Sequence, residues 1–301
     1  MATAASQPLP DIFKRALDFL GPLVPARFRS GTPVVPVVRL TGIIGMGTPL
    51  RPGLSLATSA RSLERAFSIS NARAVALSIN SPGGSPTQSH LIYRRIRQLS
   101  AEKKIPAIAY VEDVGASGGY MIACAADEIV SDQFSIVGSI GVVGGTFGFD
   151  KAIEKLGIER RLYTSGDRKA MLDPFLPEKP EDVKKLKAIQ KDIHERFIAL
   201  VKESRGKKLE GADKTLFSGE YWTAPTALEL GLIDRVGDLR SDLRARFGDK
   251  VRTPLVSADK SWLGRKLPGV GALDDLTRQP GLADELVSAL EARAWWSRYG
   301  L

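Results

Sequence analysis

The sequence predicts an α/β fold of mostly parallel strands, and three observations carry that expectation. Apolar runs rich in β-branched residues recur at Val34–Leu40, Ala74–Ile79 and Ile105–Val111. Glycine-rich turns close the second and third, at Asn80–Ser85 and Val114–Gly119. Segments with helical spacing of apolar residues follow both turns. A helix between two strands returns the chain to the end where it began, so the strands align in parallel.

Each element follows in order. Residues 11–20 carry Ile12, Phe13, Ala16, Leu17 and Leu20 at helical spacing, and Pro22, Pro25 and Gly31 then break the pattern. Residues 1–32 therefore read as an N-terminal appendage with an amphipathic helix. It is charged through its middle, unlike a standard signal peptide. Pro36 in the first strand argues for a sheet edge, since proline cannot donate to a ladder. Gly42–Gly53 is loop, and Ser62–Phe67 belongs to a short helix. Residues 86–100 place Ile92, Ile96 and Leu99 on one helical face. A small-residue helix runs through Ala126. Short strands are expected at Glu128–Val130 and Gly141–Gly144, a helix start at 150–156 and a strand at Glu159–Thr164. Residues 180–204 form a long amphipathic helix with the stripe Val183, Leu186, Ile189, Ile193, Phe197 and Leu200. Thr223–Leu230 is helical and stops at Gly231. The body spans 33–256. Residues 257–301 are a C-terminal tail with a terminal helix near Asp284–Leu290, followed by Trp295, Trp296 and Tyr299.

Composition excludes several classes. The single cysteine, Cys124, forbids an internal disulfide framework and a cysteine-rich metal site. It sits among small apolar residues and reads as a buried hydrophobe. Neither a metal nor a cofactor is expected. The net charge of +9 is spread among acidic residues, with no aromatic and basic recognition motif, so no nucleic-acid partner is expected. Attraction to an anionic membrane surface stays open. No apolar run approaches the roughly 18 residues of a transmembrane helix. A cytoplasmic or peripheral membrane location is expected.

The chemistry centres on Ser117, between glycines where a strand gives way to a helix. Gly115-Ala-Ser-Gly-Gly119 matches the G-x-S-x-G pattern of a nucleophile elbow. A serine hydroxyl needs a base. The chain has two histidines, His90 and His194. Both fall within helices and read as flanking or surface residues. Lysine is the other base known in such sites. A free lysine has a pKa of about 10.4, so roughly one molecule in 2,500 is neutral at pH 7. A base lysine therefore needs a dry site and a small polar partner. Lys169, directly after Tyr163–Arg168, ranks first by position.

Four motifs together carry a resemblance: Asn80-Ser-Pro-Gly-Gly84, Gly115-Ala-Ser-Gly-Gly-Tyr120, Gly138-Ser-Ile-Gly141 and Ser165-Gly-Asp-Arg-Lys169. Their order and spacing resemble those of the signal peptide peptidase A (protease IV) family of Ser-Lys serine peptidases, in its short single-domain form. Gly219–Asp234 resembles the segment that ends the family domain. The resemblance covers about residues 34–240 and implies a crotonase- and Clp-peptidase-like fold of stacked parallel strands with flanking helices. It implies Ser117 as nucleophile, Lys169 as general base and Ser139 as the residue orienting the lysine. It also implies an oxyanion hole from Gly83, Gly84 and Gly118. Implied too are hydrophobic peptide substrates such as signal-peptide remnants, and a homo-oligomeric ring whose dyads are completed between neighbours. The chain departs from the family pattern at Ala170, where an acidic residue is common; Asp173 lies three further on. Two alternatives remain: a crotonase-type acyl-CoA enzyme, and a non-catalytic ring scaffold at the membrane.

Overall fold

The computed structural model describes residues 32–45, 47, 53–166, 168–257, 290 and 293–300. The expected helices at 11–20 and 284–289 lie outside these residues. Among the described residues a seven-stranded sheet forms the frame. Strands β1 (Val37–Thr41), β2 (Val75–Ser81), β3 (Ala107–Ala116), β4 (Glu128–Ser131) and β7 (Arg235–Val236) lie side by side in that order, all parallel. The expected α/β architecture is therefore what forms.

Pro36 marks an edge as expected. β1 ends the strand order, and residues 252–256 run along its free side through Val35 N–H to Arg252 O and Val37 N–H to Pro254 O. This segment covers the start of the edge strand, where an unpaired ladder would otherwise face solvent.

Residues alternate across the sheet with period two. One face, through Val38, Leu40, Leu77, Ile79, Ala109, Val111 and Ile129, packs under the helices. These are α1 (Leu56–Phe67), α2 (Pro86–Lys103), α3 (Gly118–Ala123) and the later part of α5 (Pro180–Arg205). The other face, through Val35, Val37, Ala76, Ile108, Tyr110 and Val130, is covered by Leu243, with Leu239 and Phe247 against it. These three residues belong to α8 (Leu239–Phe247), which the sequence pattern did not announce. Near its end that face continues as Val114, Ala116 and Ile136, covered by Trp296 and Tyr299.

β3 is the pivotal strand. Ile79 pairs with Val111, but Ser81 pairs with Gly115, so β3 carries two extra residues across this interval. Asn80 Oδ1 accepts from Val114 N–H and its amide donates to Asp113, which anchors the irregularity. Bulges bend and twist a strand. Before the bulge β3 pairs with β4; beyond it, residues 114–116 pair with β5 (Ile136–Gly138). β5 in turn pairs antiparallel with β6 (Tyr221–Thr223).

Some expectations need correction. The strand expected at Gly141–Gly144 lies earlier, at Ile136–Gly138, because pairing with the bent end of β3 selects those residues. Glu159–Thr164 forms no strand; it is exposed throughout and has no ladder partner. Two short helices, α4 (Asp150–Lys155) and α6 (Asp213–Leu216), and α7 (Ala224–Glu229) complete the described elements, with a 3-10 turn at Gly206–Lys208.

A buried ion pair closes the body. Arg205, at the end of α5, donates to both carboxylate oxygens of Asp234 at 2.8 and 3.1 Å and to Gly231 O. Asp234 also accepts from Lys208 and from Ile129 N–H. Burial raises the carboxyl's pKa, but these donors more than offset it and hold it below the usual range. No helix of the described residues is long and apolar enough to cross a membrane.

Candidate active site

Ser117 occupies the step from β3 to α3. Its backbone has φ 51° and ψ −119°, a conformation that non-glycine residues rarely adopt. Such strain costs on the order of 1–3 kcal/mol and persists only where the surroundings over-determine it. Here they do. Ser117 N–H donates to Gly138 O at 2.8 Å, and Ser117 O accepts from Met121 N–H at 2.9 Å. The main chain is clamped on both sides, and the side chain makes no capping bond to the helix that follows.

The Asn80–Gly84 turn passes directly beside the serine. A Cβ on Gly83 would lie 2.8 Å from Ser117 Cβ, and Gly83 has φ +103°. Only glycine fits there. Gly84 forms a parallel bridge with Ile44: Ile44 N–H donates to Gly83 O, and Ser85 N–H donates to Ile44 O. In a trans peptide the C=O and the following N–H point opposite ways, so Gly84's own N–H and C=O face away from Ile44. Gly84 and Gly118 both line the groove in front of Ser117. The Gly83 amide has a partner within the turn. Its N–H donates to Ser81 Oγ at 3.2 Å, so it supports the turn from within.

The groove has a volume of about 610 Å³ and brings Ser117 and Ser139 together. Ser139 follows β5 and also has a positive φ, +53°. Its N–H donates to Glu220 O at 2.6 Å, just before β6. Trp222 on β6 packs against Gly138. The Gly219–Asp234 segment therefore pins the Ser139 turn at one end. At the other, Tyr120 of the serine motif donates its hydroxyl to Leu232 O at 2.7 Å. Met121, Val142, Val143, Ile193 and Phe197 give the groove apolar walls.

Lys169 is not among the groove-lining residues of its own chain. It is exposed on the turn at 168–172, and its N–H donates to Gly166 O. The segment that carries it, 142–176, presents Val143, Phe147, Leu156, Ile158 and Tyr163 to solvent, with Phe147 77% and Tyr163 91% exposed. Asp173 pairs with Arg160 at 2.8 Å, which holds its carboxyl below the usual range.

Among the groove-lining residues that the sequence did not assign to a site are His194 and Tyr299. His194 Nε2 lies 3.0 Å from Ile140 O. A carbonyl only accepts, so Nε2 carries the hydrogen. His194 thus ties α5 to the strained Ser139 turn and lines the groove, rather than flanking a surface helix. Its spacing with Gln190, Phe197 and Val201, four, three and four, was the available signal. Tyr299 is buried and lines the groove together with Ser139. His90, by contrast, is exposed and stacks on Tyr93. Cys124 is buried, and desolvation pushes its thiol up to about 11, which leaves it inert. Among the described residues no group of three His, Cys, Asp or Glu side chains is placed to hold a metal ion.

The model of peptidase family S49 matches residues 100–247, which include Ser117, Ser139 and Lys169. A Synechocystis sp. protein named "Putative protease slr0021" is 32% identical over 219 residues, covering 71% of this chain and 78% of that protein. The chain belongs to peptidase family S49. The resemblance to the signal peptide peptidase A group read from the motifs holds, and an Enterococcus faecium relative named "Putative signal peptide peptidase SppA" is 28% identical over 229 residues, 73% of this chain and 64% of that protein. Higher identity comes from a Brucella abortus protein named "Na(+)/H(+) antiporter NhaA", 53% over 299 residues. That match takes in 97% of this S49 chain but 39% of the relative, so the chain spans about two fifths of its length. A solved structure described as a "1510-N membrane protease specific for a stomatin homolog from Pyrococcus horikoshii" aligns with TM-score 0.42 and 18% identity, over 72% of this chain and 79% of that one.

Proposed function

We propose that this chain is a serine endopeptidase in which Ser117 is the nucleophile and Lys169 of a neighbouring copy is the general base. The observation that carries the reading is the strained, clamped Ser117 facing Ser139 across one groove, within the S49 match. The Ser117 hydroxyl attacks the scissile carbonyl carbon while the lysine amine takes its proton. The amine returns that proton to the departing peptide nitrogen. Water then attacks the acyl-serine by the same route and restores the hydroxyl. Ser139 orients the amine, and the Gly84 and Gly118 amides stabilise the oxyanion. The apolar walls of the groove suit extended hydrophobic peptides.

Two observations favour a base from a neighbour. Lys169 stands outside its own groove, and the segment bearing it exposes apolar side chains of the kind that interfaces cover. A head-to-tail contact of this kind forms a ring when its rotation closes. Family membership favours peptide over acyl-CoA chemistry. The net charge of +9 and the match to part of a chain named as an antiporter support work at a membrane surface.

Mixing two inactive variants tests the arrangement. Ser117→Ala and Lys169→Ala subunits, unfolded and refolded together, should regain roughly a quarter of the wild-type sites, the fraction expected for random neighbours around a heterologous ring. No recovery on mixing, with each variant assembled, defeats the shared dyad.

A further inference from the structure

The sheet face that α8 leaves open is covered by residues 293–300, and this cover reaches the reaction centre. Trp296 packs on Val114, Ala116 and Ile136, the bent end of β3 and its partner β5. Tyr299 is buried, lies edge-on to Tyr221 with ring centroids 5.1 Å apart, and donates its hydroxyl to Pro82 O at 3.4 Å. Tyr221 donates in turn to Arg298 O at 3.1 Å. Trp295, Arg298 and Tyr299 line the groove together with Ser117 and Ser139.

Ser139 and the buried Tyr299 phenol share the lining of that groove. A serine hydroxyl has one proton to give and two lone pairs, arranged around one small oxygen. An ammonium or amine side chain brought to Ser139 must therefore share its surroundings with a bulky, buried ring.

We propose that residues 293–300 are a latch that docks in its own groove, with Tyr299 occupying at Ser139 the position the base lysine needs. The proposal rests on the Ser-Lys reading and adds a regulated step to it. The latched chain holds its nucleophile ready but keeps the base out. Release of the segment opens the groove beside Ser139 and bares Val114, Ala116 and Ile136. The ligand class of this subsite is a peptide with an aromatic residue that also carries a hydroxyl. A tryptophan three positions earlier supplies the anchor.

Full-length Trp296→Ala/Tyr299→Ala tests the latch in two independent ways. The first is binding: a fluorescein-labelled peptide of residues 294–301 is titrated into the double variant and followed by anisotropy. Saturable binding is expected, and a peptide with alanine for Tyr299 should bind about tenfold more weakly or worse. Absence of binding, or equal binding of both peptides, overturns the docking site. The second is turnover of an apolar fluorogenic peptide. If the latched state holds about nine chains in ten, opening it raises kcat/KM about tenfold, and the unlabelled peptide should reverse the gain. Unchanged turnover in an active, folded double variant overturns the inhibitory role. Failure of the peptidase reading shows separately, as no reaction of Ser117 with a serine-directed phosphonate in the double variant, and leaves the binding result to judge the docking site.

Discussion

The two halves of the proposed dyad sit in opposite environments. Ser117 lies between two buried elements, with both sides of its main chain bonded and a glycine turn pressed against its Cβ. Lys169 lies on a solvent-facing turn within a segment whose large apolar side chains are exposed. The contrast teaches where each half gets its position. The serine is held by the core of its own chain, and strain there is sustained by packing. The lysine side has little of its own core to hold it, so its geometry depends on what covers the segment.

The largest expected effect is on the serine side. Ser117→Ala should cut kcat about 10⁶-fold with little change in melting temperature, the scale seen when a catalytic unit is broken. Residual turnover above a hundredth of wild type would show that the clamped serine is not the nucleophile.

Asp234 probes the frame that carries the serine. Replacing Asp234 with Asn leaves the buried Arg205 guanidinium without its carboxylate and should cost about 3–5 kcal/mol in chemical unfolding at pH 7. The pH dependence has a definite sign. Asp234 has a folded pKa below its ordinary value of 3.8, so its contribution is complete above that value. It is lost as pH falls through the lower folded value. The gap between wild type and Asp234→Asn should therefore shrink below about pH 3.8; a gap that widens in acid contradicts the ion pair.

Gly83→Ala tests the contact with the serine more finely. The added methyl meets Ser117 Cβ at 2.8 Å from a backbone with φ +103°. Activity should fall about a hundredfold or more, comparable to loss of an oxyanion donor, because the Gly84 and Gly118 amides move with the turn. Wild-type kinetics would mean that this turn does not set the site.

The smallest effect on the single chain is expected on the lysine side. Phe147→Ser with Tyr163→Ser should change folding stability by within about 0.5 kcal/mol, as exposed positions do. The same pair should lower the mass in solution and abolish turnover if this surface meets a neighbour. Unchanged assembly and activity would break the contrast between the two halves.

Much of this was legible in the sequence, for local reasons. Ser117 was readable because glycines on both sides of a strand-to-helix step leave one hydroxyl uncrowded by neighbouring side chains. Pro36 announced an edge because it lacks a donor. Phe197 and Leu200 announced a buried helix face, although Ile189 on the same stripe stays largely exposed. The strand misplaced to Gly141–Gly144 and the strand expected at Glu159–Thr164 show the limit. Both segments are apolar or β-branched enough to pair, but a strand exists only where a ladder partner arrives. α8 was missed because its apolar residues are few among arginines, and its place is set by the sheet face it covers.

The sequence by itself determined the alternation of strands and helices, the serine between glycines at the strand-to-helix step with its glycine turn, and the membership of an S49 peptidase family. Each depends on residues close together in the chain, where side-chain period and backbone freedom act directly. Tertiary structure alone decided that Ser139, His194 and Tyr299 meet at one groove, that Gly84 rather than Gly83 turns its amide outward, and that Lys169 stands apart. The two-residue irregularity in β3 bends its end away from β4 and onto β5, which sets the Ser139 turn beside Ser117. Such a bend is fixed by pairing partners tens of residues away, and local pattern carries no record of them.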